Sequence, residues 1–235
     1  MREMKEFPEV IYEDNHLLIL NKPAGWLVQG DKTGDETLTD WGRQYIKAHY
    51  HKPGQVFLHP AHRLDRPVSG LVICCRTSKS LERITMMFRE NQIRKQYLAI
   101  VLGVPNEPEA TLTHWLIKDV SKNVVRGHDY PEEKGKKATL SYHLVANQKS
   151  KSLLVVNPTT GRPHQIRVQL SKIGCPIQGD LKYGAPEGNP TLSISLHALK
   201  LEFLHPVKKE PFKVSCPPSS LDWDPFKTKI DELVN

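Results

Sequence analysis

The chain has 235 residues, of which 38% are hydrophobic, and a formal net charge of +7 gives it a sequence pI of about 9.2. This composition excludes a disordered chain, and no apolar run approaches the ~18 residues that a membrane-spanning helix needs. The charged N-terminus and four cysteines without a C-x-x-C pair predict a cytoplasmic protein with free thiols. The basic charge favours a nucleic-acid partner, although each lysine-arginine cluster alone is more typical of a solvated surface.

The first half of the chain predicts a β-rich start followed by helices that alternate with strands. Alternating or continuous apolar runs predict four strands, at 10–12, 17–21, 56–58 and 70–75. Apolar spacing of three and four residues predicts one helix from Thr37 to the Pro53-Gly54 pair and another over 77–91. The charged segment 59–65 is therefore expected on a loop between two strands, where functional groups are commonly displayed.

The second half predicts further strands and one short helix. The strands are expected at 97–104, 111–117, 139–145, 153–157 and 199–203, and the polar segment 127–137 is expected to be a mobile excursion. Pro163 is well placed for the first turn of a helix that carries Ile166, Leu170 and Ile173 and ends at Gly174. A Pro-rich tail follows the last strand.

Strands outnumber helices and arrive in runs, which favours an α+β fold over a doubly wound one. We expect a mixed, mainly antiparallel central sheet flanked by helices and loops. No Ser- or Gly-rich linker interrupts the sequence, so residues 1–235 are expected to form a single domain, bilobed around a catalytic cleft.

The common cofactor signatures are missing from the sequence. There is no G-x-G-x-x-G, Walker A loop, H-E-x-x-H or G-x-S-x-G, and the eleven histidines follow no recognised metal-ligand spacing. The sequence therefore predicts neither a cofactor nor a metal.

Two short segments concentrate chemically useful side chains. In 62–66, one carboxylate, Asp65, lies between Arg63 and Arg66, which should keep it ionised. In 161–167, Arg167 lies about 100° around the predicted helix from Ile166 and can reach a cleft. From these residues alone, Asp65 as a loop hydrogen-bond acceptor and Arg167 as its surface partner is an equally open interpretation.

The order and spacing of several separated blocks resemble the RluA-type pseudouridine synthases over roughly residues 10–215. The blocks are Asn21-Lys22-Pro23-Ala24-Gly25, His62-Arg63-Leu64-Asp65 with Ser69-Gly70-Leu71, Lys95-Gln96-Tyr97-Leu98-Ala99, Gly161-Arg162-Pro163-His164-Gln165-Ile166-Arg167, Gly179-Asp180-x-x-Tyr183-Gly184, Leu196-His197-Ala198 and Phe203-Leu204-His205-Pro206.

The resemblance implies a pseudouridine synthase fold and an RNA substrate, tRNA or rRNA, in which a uridine is isomerised. Separately from the resemblance, we expect a monomer. The resemblance implies that Asp65 is the catalytic carboxylate, that Tyr97 lies beside the target base, and that Arg167 is the basic partner of Asp65. It also implies that Arg63 enters the RNA stack where the flipped base was. The remaining residues expected to bind substrate are His62, Arg66, Lys22, Arg162, His164 and Gln165.

The sequence departs from the family pattern at three positions. Pro67 and Val68 replace an acid and a threonine, which is expected to alter the loop around Asp65, and Gln169 replaces a histidine. Only about 20 residues precede the Asn21 block, which is too few for an S4 RNA-binding module, so none is expected. Two alternatives remain at this stage: a non-catalytic RNA-binding protein on the same scaffold, and a metal-dependent hydrolase that uses the histidines.

Overall fold

The computed structural model describes residues 6–189 and 193–234, which divide into two compact units. Unit 1 comprises Met1–Ile93 and Lys200–Cys216, and unit 2 comprises Arg94–Leu199 and Pro217–Asn235. The elements in chain order are β1 (Glu9–Glu13), β2 (Leu17–Lys22), α1 (Leu38–His49), β3 (His59–Pro60), β4 (Ser69–Cys75), α2 (Ser78–Arg89), β5 (Arg94–Leu102), β6 (Glu109–Asp119), β7 (Val124–His128), β8 (Lys136–Gln148), β9 (Lys151–Pro158), α3 (Gln165–Lys172), β10 (Leu196–Leu204), β11 (Pro211–Ser215) and α4 (Lys227–Val234).

Unit 1 is built on strand β4. Strand β2 pairs antiparallel with β4 and with β1, the short β3 also pairs with β4, and β11 pairs with the second half of β10. Strands β2 and β4 are almost entirely buried, which matches their continuous apolar sequences. The two helices begin at side-chain caps, since the Thr37 and Thr77 hydroxyls accept hydrogen bonds from Asp40 N and Ser80 N.

Unit 2 is an antiparallel sheet with helices packed on it. Its strands lie in the order β5-β9-β8-β6-β7. One apolar cluster packs β5 and β9 against Trp223, Phe226 and Ile230 of the C-terminal segment, and a second packs β6, β7 and β8 against Val168 of α3 and Tyr183. Helix α3 is therefore held by the sheet rather than by its own eight residues, which are too few for a stable isolated helix.

The predicted α+β class with a mainly antiparallel sheet is confirmed, and most elements lie within a few residues of their predicted bounds. Three details were wrong. Residues 56–58 form no strand, and Pro163 precedes α3, whose N-cap is His164 in the left-handed conformation. Segment 127–137 supplies the end of β7 and the start of β8 and connects them through a loop, and its mobility stays a prediction. The tail forms β11 and α4, which its prolines concealed. The single domain, the cleft and the absence of an S4 module stay predictions.

Candidate active site

Asp65 lies in the loop that joins β3 to β4, as expected. Ala61 N donates to Ile73 O at 2.9 Å on one side of this loop, and Val68 N donates to Asp65 O at 3.1 Å, which closes a turn over Asp65 to Val68. Val68 is buried and Asp65 is half-buried. The proline and valine that replace the family's acid and threonine therefore still permit a hydrogen-bonded turn directly after the carboxylate.

A second segment, residues 22–26, is docked on the peptide that follows Asp65. Gly25 N donates to Arg66 O at 2.8 Å, and Arg66 Nε donates to Gly25 O at 3.0 Å. The Lys22 ammonium donates to Arg66 O at 3.2 Å and to the carbonyls of Pro23 and Trp26 at 2.9 Å each. The Asn21-Lys22-Pro23 block and the Asp65 loop are thus one hydrogen-bonded assembly within unit 1.

Lys22, which is expected to bind substrate, lies in the interior of unit 1. Its side chain is 0% exposed, so it offers no surface to RNA. Burial lowers the pKa of its ammonium to about 7, the Asp65 charge opposes that shift, and the Arg66 charge adds to it. Lys22 instead contributes a buried cation to the support of the Asp65 loop.

His62 is also engaged by the scaffold. Its Nε2 accepts a hydrogen bond from Ile73 N at 3.0 Å, and its ring lies 4.8 Å from that of Phe88. This fixes the imidazole beside β4, so His62 supports the loop, and its expected contact with RNA stays a prediction. Arg63 is exposed, while Arg66 forms an ion pair with Asp35 at 2.8 Å in which both side chains are 48% exposed. Their expected contacts with RNA stay predictions.

In unit 2, Arg167 is held by a residue that sequence reasoning did not single out. Its Nε and Nη2 donate to the two carboxylate oxygens of Asp180 at 2.7 and 2.8 Å, and its guanidinium lies 4.9 Å from the centre of the Tyr183 ring. Arg167 is 5% exposed and Asp180 is 1% exposed. A bidentate pair at this burial fixes the plane and direction of the guanidinium. The expected partnership of Arg167 with Asp65 stays a prediction.

The Asp180–Tyr183 segment explains one of the sequence blocks. Gly179 adopts a φ of +83°, and a Cβ there would approach the Asn189 side chain to 2.6 Å, so only glycine fits before Asp180. The Tyr183 hydroxyl accepts from Val125 N at 3.0 Å and is 2.6 Å from His164 Nδ1. The block belongs to the resemblance, but only the coordinates show that Asp180 and Tyr183 support Arg167.

The segment before α3 places its three predicted substrate residues differently. Arg162 is exposed, and its Nε donates to Lys137 O at 3.1 Å, which orients the guanidinium. His164 is half-buried and joined to Tyr183. Gln165 is 4% exposed: its Oε1 accepts from Arg162 N and the Thr160 hydroxyl, and its Nε2 donates to Thr139 O. Gln165 therefore has a structural role within this segment, and its expected contact with substrate stays a prediction.

We expect Gln165→Ala to lower the free energy of unfolding by about 1–3 kcal/mol, because it removes the hydrogen bonds that the buried amide makes to Arg162 N, the Thr160 hydroxyl and Thr139 O. Urea denaturation measures the change. Gln92→Ala is the control, since Gln92 is exposed and bonds only at the surface to Glu90. Equal urea-denaturation midpoints for Gln165→Ala and Gln92→Ala would show that the Gln165 amide does not stabilise this segment.

Tyr97 lies on β5 opposite Val156 of β9 and is half-buried. The strand alternation puts Lys95 on the same face as Tyr97, and burial lowers the pKa of the Lys95 ammonium. The following residues, Leu98 to Val101, are fully buried and anchor the strand. Tyr97 therefore lies in β5 immediately before the fully buried residues of that strand.

Gln169, the replacement for the family's histidine, is fully buried on α3. Its Nε2 lies 3.0 Å from His114 Nδ1 and 3.2 Å from Leu112 O, so the amide ties α3 to β6. Burial also lowers the pKa of His114. At this position the amide supports packing within unit 2.

Within residues 6–189 and 193–234, no group of three or more His, Cys, Asp or Glu side chains is arranged to hold a metal ion. In the same part of the chain, no helix is long and apolar enough to cross a membrane.

The fold is that of the RNA pseudouridylate synthases. The solved structure of human RNA Pseudouridylate Synthase Domain Containing 4 superposes with a TM-score of 0.77, covering 94% of this chain and 92% of the human one. The two sequences are 22% identical, so this likeness establishes the fold alone.

Sequence relatives establish the family. Residues 16–172 match the family model for RNA pseudouridylate synthase, and the chain belongs to that family. It is 33% identical over 208 residues to ribosomal large subunit pseudouridine synthase D of Borreliella burgdorferi, covering 87% of this chain and 63% of that protein. It is 31% identical over 214 residues to the dual-specificity RNA pseudouridine synthase RluA of Pasteurella multocida, covering 90% and 93%. The chain thus spans less than two thirds of the first relative but nearly all of the second.

Proposed function

We propose that this protein is an RNA pseudouridine synthase that isomerises specific uridines in tRNA or rRNA, with Asp65 as its catalytic carboxylate. The observation that carries the proposal is the family match over residues 16–172, a range that contains Asp65, Tyr97 and Arg167. The named relatives act on ribosomal RNA or have dual specificity, which supports tRNA and rRNA as the two candidate substrates.

The reaction needs only groups that the chain supplies. The N1–C1′ bond of uridine breaks, the uracil turns, C5 joins C1′, and the proton lost from C5 is balanced by one gained at N1, so the product is an isomer and no oxidant or reductant is consumed. Asp65 would either attack the substrate covalently or remove a sugar proton on the way to a glycal. Both routes require an ionised carboxylate with a fixed position, and the hydrogen-bonded turn at Asp65–Val68 supports that requirement.

Tyr97 and Arg167 have separate roles in the proposal. The Tyr97 ring would stack on the extruded uracil, with its hydroxyl near C5 to assist the last proton transfer. Arg167 would hold negative charge at the reacting carboxylate, and its bidentate bonds to Asp180 support it as a guanidinium of fixed direction. We further propose a cytoplasmic monomer that uses neither cofactor nor metal.

Binding would begin with phosphate contacts and end with base flipping. Rotating a nucleotide out of structured RNA costs a few kcal/mol, and Arg63, which is exposed, would offset part of that cost by filling the gap. Arg162 would contact the RNA backbone, because it is exposed and oriented by Lys137 O.

For Arg162→Gln we expect weaker RNA binding at every sequence and a slope of log affinity against log salt that is shallower by about 0.7 to 1, as expected for one phosphate contact. Titrations at several salt concentrations measure it. Lys229→Gln is the matched loss of charge, because Lys229 forms an exposed pair with Glu232 on α4. A slope that falls equally in both variants would contradict a specific contact at Arg162.

The proposed function is tested with RNA transcribed with uridine that carries tritium at C5. The wild type is expected to release tritium to water without added cofactor and in the presence of a chelator, whereas Asp65→Ala releases none. Undiminished release from Asp65→Ala would refute the assignment of Asp65, and chelator-sensitive strand cleavage would refute the reaction class.

A further inference from the structure

Lys22 is a buried lysine beside the Asp65 loop, and the proposed mechanism assigns it no role. The three N–H groups of the Lys22 ammonium match three carbonyl acceptors, Pro23 O, Trp26 O and Arg66 O, at 2.9–3.2 Å. The first two belong to the segment that follows β2, and the third belongs to the residue directly after Asp65. Lys22 therefore joins two separate stretches of chain at the Arg66–Pro67 peptide, one residue beyond Asp65.

We propose that Lys22 is a positioning residue for the reaction: its ammonium fixes the Arg66 carbonyl, and through that peptide it sets the direction of the Asp65 carboxylate. This inference rests on the proposed function. Lys22 does not touch substrate, because its side chain is 0% exposed. A displacement of about 1 Å at a reacting group is enough to cost two orders of magnitude in rate, so a clamp at the neighbouring peptide is able to control turnover.

We call the contact of the Lys22 side-chain nitrogen with its three carbonyl acceptors the clamp. The charged form of Lys22 is the form that can make all three hydrogen bonds. An ammonium has three N–H donors for the three carbonyls, whereas a neutral amine has two. The charged groups that face Lys22 are Asp65, which favours the ammonium, and Arg66, which disfavours it and is itself paired with Asp35. Since burial lowers the pKa of Lys22 to about 7, the clamp loses its third donor just above neutral pH.

Stability is expected to move in the opposite direction from activity. The folded pKa of about 7 lies below the ordinary value of 10.5, so between these two pH values the unfolded chain binds more protons at Lys22 than the folded chain does. The contribution of Lys22 to the free energy of unfolding therefore rises with pH across this window. If Lys22 served only the fold, activity and stability would change with pH in the same direction.

The test compares the wild type with Lys22→Met, which keeps the apolar stem and removes the donors. The control is Lys79→Met, which removes an exposed lysine of α2 in the same unit. We expect kcat for tritium release to fall about 10- to 100-fold in Lys22→Met with KM for RNA within twofold, and both constants to be unchanged in Lys79→Met. A folded Lys22→Met with kcat within twofold of the wild type, or with its loss confined to KM, would overturn the proposal.

The pH profiles complete the test. From pH 6.5 to 9.5, kcat of the wild type and Lys79→Met is expected to decline above about pH 7, while kcat of Lys22→Met stays flat at its lower level. Over the same range the stability of the wild type relative to Lys22→Met should rise. A profile shared by all three proteins would overturn the proposal.

If Lys22→Met does not fold, the wild-type profile decides. A decline of kcat above about pH 7 while the protein stays folded supports the clamp, and a flat profile overturns it. Failure of the proposed function is distinguishable, because it would appear as a wild type that releases no tritium at any pH.

Discussion

Asp65→Asn is expected to abolish pseudouridine formation, with kcat lower by at least about 10³-fold and RNA affinity within a few-fold of the wild type. The amide is nearly the same size as the carboxylate, so the turn from Asp65 O to Val68 N should form unchanged. What the variant loses is the negative charge that either attacks the substrate or removes a sugar proton. Single-turnover assays at saturating enzyme separate this loss from any change in binding.

Asp31→Asn is the control for removing a carboxylate from the same unit. Asp31 is exposed, and its Oδ1 accepts from Thr33 within a surface turn, so we expect activity to stay unchanged. Activity in Asp65→Asn within tenfold of the control would contradict a catalytic role for the carboxylate.

Arg167→Met is expected to have the second-largest effect, because it damages both stability and turnover. It leaves the Asp180 carboxylate, which is 1% exposed, without its bidentate partner. Breaking a buried ion pair from one side costs about 3–5 kcal/mol, which is a large part of the stability of a typical domain. Chemical denaturation should show this loss, and tritium release should fall to background.

The double variant Arg167→Met/Asp180→Asn separates the two effects. Removing both charges leaves no uncompensated carboxylate, so most of the lost stability is expected to return. Turnover is expected to remain at background, because the guanidinium proposed to act at the reaction is still missing. Recovery of activity together with stability would show that Arg167 serves the fold alone.

Sequence periodicity predicted the strands and helices whose own residues include a turn, a helix cap or a regular apolar spacing. The turn at 13–16 between two apolar runs, and Thr37 and Thr77 before helical spacing, correspond to β1, β2 and the capped starts of α1 and α2. Strand β11 and helix α4 were missed because both are short and lie in a part of the chain interrupted by prolines at 206, 211, 217, 218 and 225. They are held instead by contacts with distant residues, such as the pairing of β11 with β10 and the burial of Ile230 among β-strand side chains.

At the candidate site, the sequence indicated which segments matter but not which way their side chains point. Lys22, His62 and Gln165 belong to the blocks that carry the resemblance, yet each is bonded to backbone groups of its own unit. Polar residue types alone do not distinguish a contact with RNA from an internal hydrogen bond, because both need the same donors and acceptors. The role of Asp180 required coordinates for the same reason, since its partner lies thirteen residues away.

The central claim is most directly tested by identifying the nucleosides in RNA before and after exposure to the protein. Target RNA is incubated with wild type or Asp65→Asn, digested to nucleosides and separated by liquid chromatography with mass detection. We predict that the wild type converts a fixed set of uridines into a nucleoside of unchanged mass that co-elutes with pseudouridine, and that Asp65→Asn converts none. Uridine that stays unmodified under the wild type in both tRNA and rRNA, or pseudouridine formed equally by Asp65→Asn, would contradict the account.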